Sequence, residues 1–366
     1  MKVGILTWYQ AINHGAVLQT YASCKMLEKM ECTPVVLNYN WELYDNKNKS
    51  SKFKRWIKKL SISQIIWHYN VKRFLEYKKD AFNKFNVLHL PIGRLFSEEK
   101  NLDVLYIGSD MVFDISEGYN PYMYGAGIDC LYKFSYAASF GYTTEDKLIQ
   151  HLHFPEIKKY INELKYIGYR DENTKRLCGE ICGHSKLVEN IDPVLCYGFK
   201  DEVEAWDSKV WKNRKYILIY AYDMNMNDEY TTNAIKEIAE KQQLEIISCG
   251  YYHKWCNENV AADPKEFLEM FKYATYVITD TFHGTVFSLI LHKKFATILR
   301  GNGFKVKYLL DCAGLEDRIA KTSNELSTIL RTSVEYDQFD TWLAKEQEKS
   351  LGYINNCIIE AKKGVK

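Results

Sequence analysis

Short apolar runs alternate with stretches of helical periodicity along most of the chain. Val3–Thr7 is apolar, a polar and glycine-containing turn follows over 10–15, and Val17, Leu18, Tyr21, Met26 and Leu27 then recur at helical spacing before a second apolar run, Val35–Tyr39. This order predicts a βαβ unit, because two parallel strands need a crossover to return the chain to the same edge. The same pattern predicts strands at Val104–Ile107, Phe134–Ala137 and Tyr166–Tyr169, with helices between them. The alternation breaks over 196–213 and restarts. Strands are then predicted at Tyr216–Tyr220, Glu245–Ser248, Tyr276–Thr279 and Phe295–Leu299, separated by helices over 228–241, 264–273 and 284–292. The expectation is an α/β protein with two successive open sheets, one domain over 1–200 and another over 201–335. A last helix, about 338–362 within residues 336–366, is expected to pack at the junction or back on the first domain.

A length of 366 residues agrees with two domains. With 46% hydrophobic and 26% charged residues the chain falls in the globular class. A formal charge of +2 argues against a nucleic-acid partner, which calls for a strongly basic surface. The ten cysteines are scattered, as suits reduced thiols, and the lone Cys178/Cys182 pair lacks the second pair of a structural metal site. The N-terminal apolar run is too short for a signal-peptide core, and Val286–Leu299 is interrupted by His292, Lys293 and Lys294, so a cytoplasmic protein is expected. Charge is concentrated locally, in an insertion over about 45–90 that is expected to form the acceptor side. Lys47, Lys49, Lys52, Lys54, Arg55, Lys58 and Lys59 occur there with no acid from Asn46 to Lys59, interleaved with Phe53, Trp56 and Ile57. Such a segment suits peripheral contact with an anionic membrane or a charged glycan, and equally a helix packed on its own domain with a solvated face.

Four loops fall where parallel strands end, which is where open α/β sheets build ligand sites. Asn13 and Gly15 follow the first strand, where backbone N–H groups can approach an anion at a helix N-terminus or simply form a tight turn. Ser109 and Asp110 follow the strand at 104–107; Asp110 can orient a hydroxyl or cap a helix. Ser139 lies in the small-residue turn that ends at Gly141. Thr281, His283, Gly284 and Thr285 lie between a buried strand and an apolar helix, where the imidazole is able to give or take a proton near neutral pH or to serve as a core residue.

Taken in order, Gly4–Trp8, Asn13–Ala22, Ile107–Asp110, Tyr136–Gly141, Arg170–Thr174, Asp192–Leu195 and Phe282–Ser288 resemble the polysaccharide pyruvyl transferase family, and the resemblance spans about residue 3 to Arg318. It implies two facing Rossmann-like domains like those of GT-B glycosyltransferases. It also implies a reaction in which phosphoenolpyruvate and two hydroxyls of one sugar give a pyruvate ketal and phosphate. No metal or redox cofactor is implied; the acceptor would be a glycan or a lipid-linked oligosaccharide of a capsule or exopolysaccharide. His283 is then the candidate acid with Asp110 beside it, and Arg170 the bidentate partner of the donor's carboxylate or phosphate. Arg300 and Lys305 are further candidate cations. The chain departs from the family pattern at Met111–Phe113, at Thr279–Thr281, and after Asn302, where Gly303–Lys305 replaces a segment that tends to carry arginine. Two alternatives share this fold: a nucleotide-sugar glycosyltransferase, and a non-catalytic glycan-binding relative.

Overall fold

The computed structural model describes residues 1–39, 62–95, 98–116, 118–222, 225–300 and 303–364. The basic stretch Lys47–Lys59 and Asn302 lie outside the described residues.

The first sheet is built from β1 (Lys2–Leu6), β2 (Thr33–Asn38), β3 (Ile92–Leu95), β4 (Val104–Ile107), β5 (Tyr132–Ala138), β6 (Tyr166–Tyr169) and β7 (Leu187–Glu189). Its order is β3-β2-β1-β4-β5-β6-β7, with every pairing parallel. The second sheet contains β8 (Tyr216–Tyr220), β9 (Glu245–Cys249), β10 (Glu258–Val260), β11 (Tyr276–Thr279), β12 (Phe295–Ile298) and β13 (Ile319–Ala320). It runs β10-β9-β8-β11-β12-β13 and is also parallel throughout. The architecture is therefore two Rossmann-like α/β lobes in succession.

The central strands are buried along their whole length, as in β4 and β8, because helices cover both faces of a parallel sheet. That is why they appear in the sequence as continuous apolar runs. The strands the sequence does not announce, β3, β7, β10 and β13, are the four sheet edges. They are two to four residues long and partly exposed, so no apolar run marks them. The break expected over 196–213 is instead occupied by short helices, among them Lys200–Ala205 and Lys209–Lys212.

Helices α1 (His14–Lys29) and α2 (Ile62–His89) belong to the first lobe, as do α3 (Glu172–Cys182) and α4 (Pro193–Tyr197). In the second lobe are α5 (Glu229–Gln242), α6 (Pro264–Tyr273), α7 (Phe282–Ile290) and α8 (Phe304–Ala313); α9 (Asp337–Gly364) ends the chain. The lobes are joined by continuous packing, since one buried apolar cluster includes Val3, Phe82, Phe267, Phe287 and Ile358. Helix α2 reaches from the first lobe to the second: Lys78 Nζ donates to the Ile12 carbonyl at 2.9 Å and lies over the Tyr251 ring. Helix α9 lies on the first sheet, where Tyr353 donates to the Ser135 carbonyl at 2.7 Å, while His292 of the second lobe meets Asp340 near the start of the same helix.

Candidate active site

In a parallel sheet the crevice opens where successive crossovers leave in opposite directions. The strand orders place that point between β1 and β4 in the first lobe and between β8 and β11 in the second. The residues that follow β1 and β4 include His14, Gly15 and Asp110; those that follow β11 include Asp280, Thr281 and His283. The two crevices face each other. A Cβ added to Gly15 would lie 2.1 Å from His283 Nδ1, so only glycine lets the imidazole of the second lobe sit against the start of α1. Gly15 therefore seats a side chain through a close approach.

Asp110 follows a turn that demands glycine at 108. Gly108 has φ of +129°, and a Cβ there would stand 2.2 Å from the Tyr136 carbonyl oxygen of the neighbouring strand. Arg170, directly after β6, donates from Nη1 to Asp192 Oδ2 at 2.8 Å and from Nη2 to Asp110 Oδ1. Asp192 caps α4 by accepting from the Val194 N–H at 2.9 Å, and its Oδ2 lies 3.6 Å from His283 Nε2. The side chains of Asp192, Arg170 and His283 are 1%, 7% and 12% exposed and that of Asp110 is 22% exposed, so the cluster is mostly buried with one side toward solvent at Asp110. Loops after four strands of the first lobe and one of the second thus converge on one network.

Burial pushes the Asp110 carboxyl up, but the charges of Arg170, His283 and Lys305 outweigh it and hold the group below its ordinary value. Asp192 behaves alike: burial raises it, and the nearby His283, the charge of Arg170 and the Val194 N–H bring it below normal. For Arg170 burial favours the neutral form, yet Asp110, Asp192 and Asp171 drive its value further up. Both carboxylates and the guanidinium are thereby held in their charged forms.

Beside this network opens a cavity of about 620 Å³ between the lobes, whose wall includes Arg170, Asp192, Phe282, Lys305, Phe304 and Trp342. Both terminal nitrogens of Arg170 already hold carboxylates, so its fork is occupied within the protein. Lys305 is different. Its Nζ lies 3.4 Å from Ser139 Oγ across the lobe boundary, and among the described residues no carboxylate comes within 4.0 Å of it. Burial, helped by the nearby Arg170 charge, brings the ammonium down to about 8. A half-buried cation with no carboxylate in direct contact can seat an anion.

The remaining sequence candidates have structural partners. Asn13 Oδ1 accepts from the Ala16 N–H at 3.2 Å and caps α1. Ser109 Oγ donates to the Ala137 carbonyl and accepts from the Asp110 N–H. Ser139 Oγ also accepts from the Gly141 N–H. Thr281 caps α7 by accepting from the Gly284 N–H at 2.9 Å, and Thr285 Oγ1 meets the Thr281 carbonyl and Thr297 Oγ1, both at 3.1 Å. Arg300 is not brought to the cluster; its Nη2 lies 3.5 Å from Asp228 in a separate cavity bordered by Tyr230 and Ser323. Asp192 was not singled out as a site residue from sequence. Its signal was the Asp-Pro step, with the carboxylate ready to cap and proline fixed at the first helical position.

A search of curated proteins finds no match for the sequence. Among solved structures, a Listeria monocytogenes protein assigned as a UDP-N-acetylglucosamine 2-epimerase aligns over 99% of this chain and 95% of its own, with 12% identity and a TM-score of 0.51. The UDP-GlcNAc 2-epimerase of Methanocaldococcus jannaschii covers 98% of this chain and 100% of its own at 15% identity and a TM-score of 0.48. That of Neisseria meningitidis covers 100% of both chains at 12% identity and a TM-score of 0.48. Two parallel-sheet lobes facing each other across a cleft place the chain in the two-domain Rossmann-like, GT-B-like class. The family model for polysaccharide pyruvyl transferase matches residues 13–302, more than three quarters of the chain. The chain belongs to the polysaccharide pyruvyl transferase family, and is a transferase that modifies sugars.

Proposed function

We propose that the protein transfers pyruvate from phosphoenolpyruvate to two hydroxyls of one sugar in a surface glycan, forming a cyclic ketal and releasing phosphate. The observation that carries this reading is Lys305: a half-buried ammonium with no carboxylate in contact among the described residues, in a cavity next to the network of His283, Asp192, Arg170 and Asp110. An enol phosphate that also bears a carboxylate is the type of donor that such a cation holds.

In this reading Lys305 takes the donor's anionic end and His283 gives a proton to the methylene carbon. The adjacent carbon then accepts the oxygen of the first hydroxyl, phosphate departs with the C–O bond electrons, and the second hydroxyl closes the ring. Of the two protons lost by the hydroxyls, one replaces that placed on carbon and the other leaves with phosphate. Asp192 orients the imidazole, and its 3.6 Å separation is of the kind that tightens when substrate fills a site. Arg170 holds both carboxylates in place, and its charge, with that of Lys305, stabilises negative charge that develops on the leaving group.

Thermal unfolding with added ligand tests the donor. Phosphoenolpyruvate at a hundredfold excess over its Kd should stabilise the protein by about 2.7 kcal/mol, and Lys305→Ala should abolish the shift. Stabilisation by nucleotide sugars, and none by phosphoenolpyruvate, would overturn the proposal.

A further inference from the structure

The cavity is larger than one small anion needs, and its wall carries more than the Lys305 cation. Its lip carries aromatic rings that the protein's own packing leaves uncovered: Phe304 is 78% exposed, Tyr308 57% and Tyr142 53%. Tyr142 comes from the first lobe and the other two from the first turns of α8. Trp342, from α9, also borders the space. Rings of this kind next to a cavity give flat apolar platforms.

Charge on the same wall is mostly negative. Five carboxylates border the cavity against two cations, Arg170 and Lys305, and the charge of Arg170 is taken up by Asp110 and Asp192. Two of the five are Glu189 and Glu346. Glu189 Oε1 accepts from the Tyr308 hydroxyl at 3.2 Å, a bond that fixes it across the lobe boundary. Lys349 lies 3.7 Å from Glu189 and 3.3 Å from Glu346, so one ammonium is shared between two carboxylates and the rim stays acidic.

We infer that this outer part of the cavity holds the acceptor as an uncharged sugar ring, with one face on Phe304 and its hydroxyls donating to Glu189 and Glu346, and that it rejects sugars bearing a carboxylate. The inference rests on the pyruvyl-transfer reading for the word acceptor, though the binding chemistry does not depend on it. A pyranose has a face of C–H bonds that covers an aromatic ring and an edge of O–H donors, while a carboxylate accepts through two oxygens. A uronic acid of the same shape would bring a third negative charge beside two carboxylates that share a single ammonium, and the like-charge contact discriminates against it. Among the described residues Lys305 is then the one cation of the wall whose charge no carboxylate contacts, so the anion-binding capacity of the cavity rests on it and the acidic lip is left to the acceptor.

The test uses the full chain saturated with phosphoenolpyruvate, and methyl glycosides of glucose, galactose and mannose beside the matching methyl uronides, followed by saturation-transfer NMR and calorimetry. At least one neutral glycoside should bind, with its uronide roughly tenfold weaker or worse. Phe304→Ala, a change at an exposed position, should weaken the neutral glycoside roughly two- to twelvefold. Glu346→Gln should narrow the gap between sugar and uronide. Equal or tighter binding of the uronide, no neutral glycoside bound, or an unchanged Kd in Phe304→Ala overturns the inference. Neutral-sugar binding in a protein that phosphoenolpyruvate fails to stabilise would instead remove the donor assignment and leave this subsite standing.

Discussion

His14 and His283 occupy matching places in the two lobes. Each lies in the first turn of a helix that follows a central strand, each is followed by glycine, and each sits where the lobes meet. Their surroundings differ in kind. His14 is fully buried, stacked on Phe267 with ring centroids 4.3 Å apart, and its Nε2 donates to the Ala262 carbonyl at 2.9 Å. Burial, with the Lys78 ammonium adding to it, pushes the His14 imidazole well below its ordinary value. His283 has a carboxylate for a neighbour and a cavity beside its network. The difference teaches that an aromatic cage makes one histidine part of the interface packing, whereas a carboxylate neighbour ties the other to the charged network.

The comparison breaks most visibly on His283→Gln. Turnover for phosphate release should fall roughly 10²–10⁴-fold while calorimetry finds the folded protein nearly as stable as the parent. Near-parental turnover would falsify the acid–base role. His14→Ala should do the reverse. Loss of a caged ring and its hydrogen bond should cost about 3 kcal/mol of stability, with turnover per folded molecule largely kept. If instead stability is untouched and turnover collapses, the two histidines have been assigned the wrong way round.

The smallest effect sharpens the role of Lys305, which pairs with neither histidine. With its value at about 8, against an ordinary 10.5, it is charged below that pH and neutral above it. The kcat/KM for phosphoenolpyruvate should therefore fall several-fold between about pH 7.5 and 9.5, and Lys305→Arg should flatten the profile because a guanidinium stays charged there. The linked stability has the opposite sign. Between about 8 and 10.5 the unfolded chain binds this proton more tightly than the folded one, so the contribution of Lys305 to stability rises with pH. A fall in kcat/KM that tracks a fall in stability would remove the assignment.

The central strands were legible because a parallel sheet covered on both faces requires unbroken apolar runs, and Val104–Ile107, Tyr166–Tyr169, Tyr216–Tyr220 and Tyr276–Thr279 appear at the bounds the sequence indicates. The site was legible in part. The loops after β1, β4, β5 and β11 drew attention to Gly15, Asp110, Ser139 and His283, all of which lie at the meeting of the lobes. Local pattern does not reveal which side chains a neighbour already occupies. Arg170 resembles a free bidentate fork until Asp110 and Asp192, 60 and 22 residues away in sequence, are seen to fill it.

What the sequence determined by itself was therefore periodicity and punctuation: buried runs that had to be central strands, caps such as Asn13, Thr281 and Asp192 that start helices, and the family to which their order belongs. These are short-range matters, set by backbone geometry and by the side chain one turn away. Only the tertiary structure decided that Gly15 exists to seat His283, that Lys305 and not Arg170 holds the unpaired charge, and that Arg300 faces a different cavity. Each of these depends on distances between residues more than a hundred positions apart or on which polar groups are removed from water, and burial and pairing are properties of the packed chain.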